Sequence, residues 1–81
     1  MDTVQLSAWT NASDALKQNA ALAPRDREFK IRDIIGETLW QPLDRTTRHH
    51  LGKHVRANLE HYGLVYVRKA GTITVYKKSS V

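Results

Sequence analysis

Between Thr46 and Tyr62 the chain reads TTRHHLGKHVRANLEHY, and its polar residues are of the kinds that recognise a polyanion. Lys53 and Arg56 can donate to guanine O6 and N7, while Thr46 and Thr47 can donate, accept or touch a thymine methyl. His49 and His50 add rings that charge near neutral pH, so a face carrying them gains positive charge as pH falls and would hold a polyanion more tightly. Arg68 and Lys69 lie a few residues further on, with Lys77 and Lys78 beyond them. Such side chains suit phosphate contacts.

Spacing separates these residues from a second set. At about 100° per residue, Leu51, Val55, Leu59 and Tyr62 fall on one stripe. Thr46, His49, Lys53, Arg56 and Glu60 fall on the opposite side. The stretch is therefore expected to be one helix over 45–62, with a buried face and a basic face. Asp44 precedes it as an N-cap, and backbone amides near Asp44 to Thr47 are placed for a phosphate. Gly63 ends it at the C′ position. Gly52 lies in its interior at a cost of roughly 1 kcal/mol against alanine, which suggests a neighbouring element close by. Arg48 and Asn58 border the apolar stripe. Arg48 is expected to partner Asp33 or Asp44, and Asn58 to satisfy a nearby backbone group.

Other chemistries are poorly supplied. His50 and His54 are spaced i, i+4, but His61 is about 10 Å further along the helix and no cysteine exists to complete a metal site. No nucleophile stands in a recognisable setting and no glycine-rich phosphate loop is present. The chain is thus expected not to be an enzyme and to need neither cofactor nor small-molecule substrate. The absence of cysteine fits a reducing compartment, so the expected location is cytoplasmic. No stretch approaches the length of a membrane span, and the start carries no leader-like apolar run.

Charge is concentrated toward one end. Residues 1–24 hold Asp2, Asp14 and Lys17, a net of −1, whereas residues 45–81 hold eight Lys or Arg against Glu60 alone, a net of +7. All four histidines lie in that second part. A field so distributed favours a polyanionic partner.

The elements that must position these residues follow from pattern. Eighty-one residues make one domain, 1–81, with residues 1–5 and 79–81 expected to be loose. Leu6, Trp9, Ser13, Leu16 and Ala20 share a helical face, capped by Thr3 or Ser7 and stopped by about Leu22 ahead of Pro24. Trp9 and Leu16 are expected in the core; this nearly neutral helix, 6–20, is also the candidate surface for a homodimer. Glu28 to Ile31 alternates as a short strand. Arg32 to Gly36 reads as a short helix with Ile31, Ile34 and Ile35 on its buried side. Glu37 to Leu43 is expected to be a turn anchored by Trp40. Leu64 to Ala70 and Ile73 to Tyr76 form a hairpin about Ala70-Gly71-Thr72. With Ala70-Gly71 as the two turn residues Tyr66 pairs with Val75 and Val65 with Tyr76, but apolar residues on both faces leave the register open.

That order resembles a winged helix-turn-helix domain, over nearly the whole chain from Leu6 to Lys78. Phe29-x-Ile31-x-Asp33-Ile34-Ile35 matches the short strand and first helix of the motif. Asp44 to Tyr62 matches the recognition helix and Leu64 to Lys78 the wing. The connection from Gly36 to Asp44 is longer than the usual tight turn. Phe29 to Val55, with Asp33, Trp40, Arg48 and Leu51-Gly52 at their spacing, is also similar to a group of small uncharacterised bacterial and phage proteins. The resemblance implies an α+β fold, duplex DNA as partner, and a role in regulating transcription or a mobile element. The contacts would come from Thr46, Thr47, His49, His50, Lys53, Arg56, Arg68 and Lys69. Two rival readings stand beside it: a protein-interaction module, such as an adaptor or phage-encoded inhibitor, using the same basic face, and RNA binding by base stacking on Tyr66 and Tyr76 of the hairpin.

Overall fold

The computed structural model describes residues 2–71 and 73–79. Among them the chain forms α1 (Thr3–Leu22), β1 (Glu28–Phe29), α2 (Ile31–Ile35), α3 (Glu37–Trp40), α4 (Arg45–Ala57), α5 (Leu59–Tyr62), β2 (Leu64–Ala70) and β3 (Ile73–Lys78). It is a small α+β domain in which the three strands make one antiparallel sheet, ordered β1-β3-β2.

Helix α1 begins earlier than the apolar pattern indicates. Asp2 is its N-cap, accepting from the Gln5 amide at 2.8 Å, so residues 3–5 lie in the first helical turn rather than in loose chain. Its buried stripe is Ala12, Leu16 and Ala20, at i, i+4 and i+8. Leu6, expected on that face, is exposed instead, and Trp9 is half-buried. Two small alanines let neighbouring elements approach, while Leu16 is enclosed completely.

Polar side chains of α1 fasten it to the rest of the molecule. The Gln5 amide donates to the Pro42 carbonyl and accepts from the Asp44 N–H, both at 2.9 Å. Asn19 donates to the Ile34 carbonyl at the end of α2, at 2.8 Å. Ser13 and Tyr62 share a hydroxyl–hydroxyl bond of 2.5 Å. Lys78 donates to the Ala21 carbonyl at 2.7 Å, tying β3 to the far end of α1.

The segment read as a turn, residues 37–43, contains the single helical turn α3. Gly36 joins α2 to α3 at φ 90, a backbone conformation that L side chains rarely adopt. The long helix expected over 45–62 is broken. Asn58, at φ −131 and ψ 41, separates α4 from α5. Its side-chain amide takes the His54 carbonyl at 2.8 Å, the acceptor that its own N–H would use in an unbroken helix; that N–H goes to Val55 instead. Asparagine competes with the backbone in this way. The break lets α5 bury Tyr62 against α1.

Leu51 and Val55 are wholly enclosed, and with Leu16 they are the largest side chains so placed. Each contributes roughly 1.5–3 kcal/mol by leaving water. Gly63 closes α5 in the left-handed conformation, φ 66 and ψ 36, as its position suggests. Ser79, expected to be loose, donates its amide to the Gly63 carbonyl at 2.8 Å. Met1, Ser80 and Val81, also read as loose, lie outside the described residues, as does Thr72 of the hairpin turn.

The hairpin register differs from the expected one. Ala70 pairs with Ile73, Lys69 with Thr74 and Arg68 with Val75; a bulge at Val67 follows, and Tyr66 then pairs with Tyr76 and Val65 with Lys77. Strand β1 adds to the other edge through Glu28–Lys77 and Phe29–Tyr76. Both faces of the hairpin carry apolar residues, so hydrophobic pattern alone leaves its register open.

Candidate nucleic-acid interface

Helix α4 owes its direction to its start. The Asp44 carboxylate accepts from the Thr47 N–H at 2.8 Å. That backbone bond first, and the Thr47 hydroxyl second, hold Asp44 below its ordinary value of 3.8. Gln5 grips residues 42 and 44 from outside, so the helix leaves a fixed point. From there Thr46, His49, His50, Lys53 and Arg56 all face solvent. Thr47 does not. It is 2% exposed, on the buried stripe with Leu51 and Val55, and its side chain is turned away from the solvent-facing side of the helix.

The outward face is a ridge between two hollows. On one side Arg45, Thr46, His49, His50 and Lys53 line a shallow concavity of about 330 Å³. On the other, a groove of about 670 Å³ runs between α4, the start of α2 and the hairpin. His49 and Lys53 border both. The groove is also bordered by Lys30, Arg32, Arg48, Arg56 and Lys69, and no Asp or Glu lines it. The result is a strip of cations drawn from three separate elements.

Several of these cations are oriented by neighbours. The Arg56 guanidinium lies 4.2 Å from the centre of the Tyr66 ring, joining α4 to the hairpin through a cation–π contact. Arg48 packs over Trp40 at 5.0 Å and donates to the Trp40 carbonyl at 3.3 Å. Its hydrogen-bond and stacking partner is thus Trp40; it makes no close ion pair with Asp33 or Asp44 among the described residues, although its charge helps to hold Asp44 low. Arg32 pairs with Glu37 at 3.3 Å. Tyr76 also lines the groove, where burial pushes its hydroxyl above the ordinary value and the charge of Arg56 partly opposes that rise.

The hairpin bulge sorts the two cations near its tip. Without it, Arg68 would share a face with Tyr66 and Lys69 would point away. With it, Lys69 opposes Thr74 and joins Tyr66 and Tyr76 on the groove side. Arg68 opposes Val75 on the other face, where it pairs with Glu28. Arg68 therefore stands apart from the α4 surface, and its charge is matched.

The histidines divide similarly. His49 and His50 border the hollows beside α4. His54 packs edge-on between Trp9, at 4.9 Å, and Tyr62, at 5.7 Å. His50 and His54 thus have different surroundings despite their i, i+4 spacing. Among the described residues no group of three His, Cys, Asp or Glu stands close enough together to hold a metal ion.

Sequence reading missed Lys30, Arg32 and Arg45 as members of this surface. Arg45 was legible as the first residue of the helix. Lys30 and Arg32 were not, since only the pairing of β1 with β3 brings the start of α2 beside the hairpin. Gly52 was expected to admit a close neighbour, yet nothing lies within 4 Å of a Cβ placed there. Comparison with protein-family models, curated proteins and solved structures found no match. No helix among the described residues is long and apolar enough to cross a membrane.

Proposed function

We propose that this chain is a winged helix-turn-helix domain that binds double-stranded DNA, with α4 in the major groove and the β2–β3 hairpin against the backbone. It acts in the cytoplasm as a small regulator of transcription or of a mobile element. The observation that carries the reading is the ridge itself: α4 stands between two hollows lined by cations. A major groove about 12 Å wide admits one helix and flanks it with two phosphate strands. Arg45 and His50 lie toward one strand, and Arg56, Lys69 and Lys30 toward the other. His49 and Lys53, on the crest, face base edges. The order of elements supports the same fold.

The element order also leaves room for a dimer on two half-sites. Leu16 is enclosed in the core, so a homodimer through residues 6–20 would draw on the exposed Leu6 rather than on Leu16.

Titrating the isotope-labelled protein with a random-sequence duplex tests the proposal by amide shifts. At low salt, shifts are expected across residues 45–56 and at Lys69, fading as salt rises with a log–log slope of about −3 to −5. Replacing Lys53 and Arg56 together by alanine should lower affinity about a hundredfold while the fold persists. Absence of shifts at low salt would sink the DNA reading and leave the basic face as a docking surface for an acidic protein.

A further inference from the structure

DNA binding employs the rim of the large groove but has no use for what lies beneath. The floor is apolar. Ile31, Trp40 and the buried Tyr76 line it, and Gly52 opens it. Gly52 occupies the interior of α4, where glycine costs roughly 1 kcal/mol against alanine. Its backbone is ordinary helix, because the positive-φ glycines are Gly36, Gly63 and Gly71. Close packing does not require it either, since a Cβ at this position would meet nothing within 4 Å. The space that a side chain at 52 would enter is the groove itself.

The groove, at about 670 Å³, has the size of a small-molecule site, roughly 300–1,000 Å³. Its chemistry is two-part. Aromatic and aliphatic surface lies below, and Lys30, Lys53, Arg56 and Lys69 stand around it with no carboxylate among the lining residues. Bulk phosphate would be served by the rim alone, and an uncharged apolar molecule by the floor alone. We propose that this groove binds a small organic anion with a flat apolar body, such as an aromatic carboxylate, sulfonate or phosphate ester. The body lies over Gly52 against the half-buried Ile31 and Trp40, and the anionic group meets Lys53, Arg56 and Lys69. Lys53 and Arg56 also belong to the proposed DNA surface, so ligand and duplex exclude one another; that consequence rests on the DNA reading, whereas the site itself does not.

The probe is naphthalene-2-sulfonate, titrated into the full isotope-labelled chain, beside its neutral sulfonamide and inorganic sulfate. Saturable shifts are expected at the Gly52 amide and the Trp40 indole N–H, with the sulfonamide and sulfate each at least about tenfold weaker. Gly52→Leu, which fills the floor, should weaken the sulfonate at least about tenfold while melting no lower than wild type. No saturable shift at Gly52 and Trp40, equal affinity for the neutral analogue, or unchanged binding by a folded Gly52→Leu variant would each overturn the site. A duplex titration on the same sample separates the two proposals. Duplex shifts without probe shifts overturn the ligand site and leave DNA binding standing; probe shifts without duplex shifts do the reverse.

Discussion

Helix α1 buries Ala12, Leu16 and Ala20, and α4 buries Thr47, Leu51 and Val55, so each presents a stripe at i, i+4 and i+8 to the same core. Each also starts at an aspartate whose carboxylate accepts from the N–H three residues on, at 2.8 Å. Their outer sides differ. On α1, Gln5, Ser13 and Asn19 all bond to other parts of the molecule. On α4, the side chains of His49, His50 and Lys53 make no hydrogen bond, ion pair or ring contact among the described residues. Polar groups bonded within the fold hold it in shape. Polar groups held on a helix and left without internal partners face solvent instead. Two helices with the same inward geometry thus differ in whether their outer polar side chains are used within the fold.

Four experiments probe that contrast. The largest effect belongs to the shared inner stripe. Val55→Asp places an uncompensated charge where the side chain has no solvent contact, at a cost of roughly 3–5 kcal/mol. A domain this small should unfold, and circular dichroism would show it; a folded variant would mean that the buried face of α4 is assigned wrongly.

Next comes the difference between the outer sides of the two helices. Gln5→Ala removes two hydrogen bonds to residues 42 and 44 and should cost about 1 kcal/mol in denaturant unfolding. Lys53→Ala should stay within about 0.5 kcal/mol of wild type, since it breaks nothing internal. The reverse ranking would erase the distinction between the helices.

A smaller effect distinguishes the two hairpin cations. Lys69→Ala should reduce the salt slope of DNA binding by about 1, the share of one phosphate contact. Arg68→Ala should leave that slope unchanged, because Arg68 faces away and pairs with Glu28. Equal slopes for the two variants would show that the bulge does not sort them in solution.

The smallest effect is acid sensitivity at the start of α4. Asp44 is held below its ordinary 3.8 by Thr47, so the stability that its charge contributes is complete above that value and is lost as pH falls through the lower, folded value. Asp44→Asn keeps a good capping residue without the titration. Its unfolding midpoint should match wild type closely at pH 7 and fall less steeply below about pH 4. Identical acid profiles would remove the cap from the account of acid stability.

Much of this molecule was legible one element at a time. The apolar stripe of α4, the Asp44 cap, the Gly63 terminus, the short β1 and α2, and the hairpin all follow from local spacing and cap chemistry. So does the outward placement of Thr46, His49, Lys53 and Arg56, because one helical period sets it. Thr47 was misread as a contact, although its position four residues before Leu51 puts it on the same stripe. The break at Asn58 was half-legible: its bond to a backbone group was expected, but the resulting end of α4 was not.

What the sequence determined by itself is therefore local: which residues lie inside each helix, where the charges concentrate, and that a basic helix is followed by a basic hairpin. Only the tertiary structure decided which cations meet. Lys30 and Arg32 join α4 through the β1–β3 pairing, and the Val67 bulge turns Lys69 toward the groove and Arg68 away. The physical reason is the alternation of side chains along a strand. One inserted residue reverses every face beyond it, and residue composition does not reveal where that insertion falls.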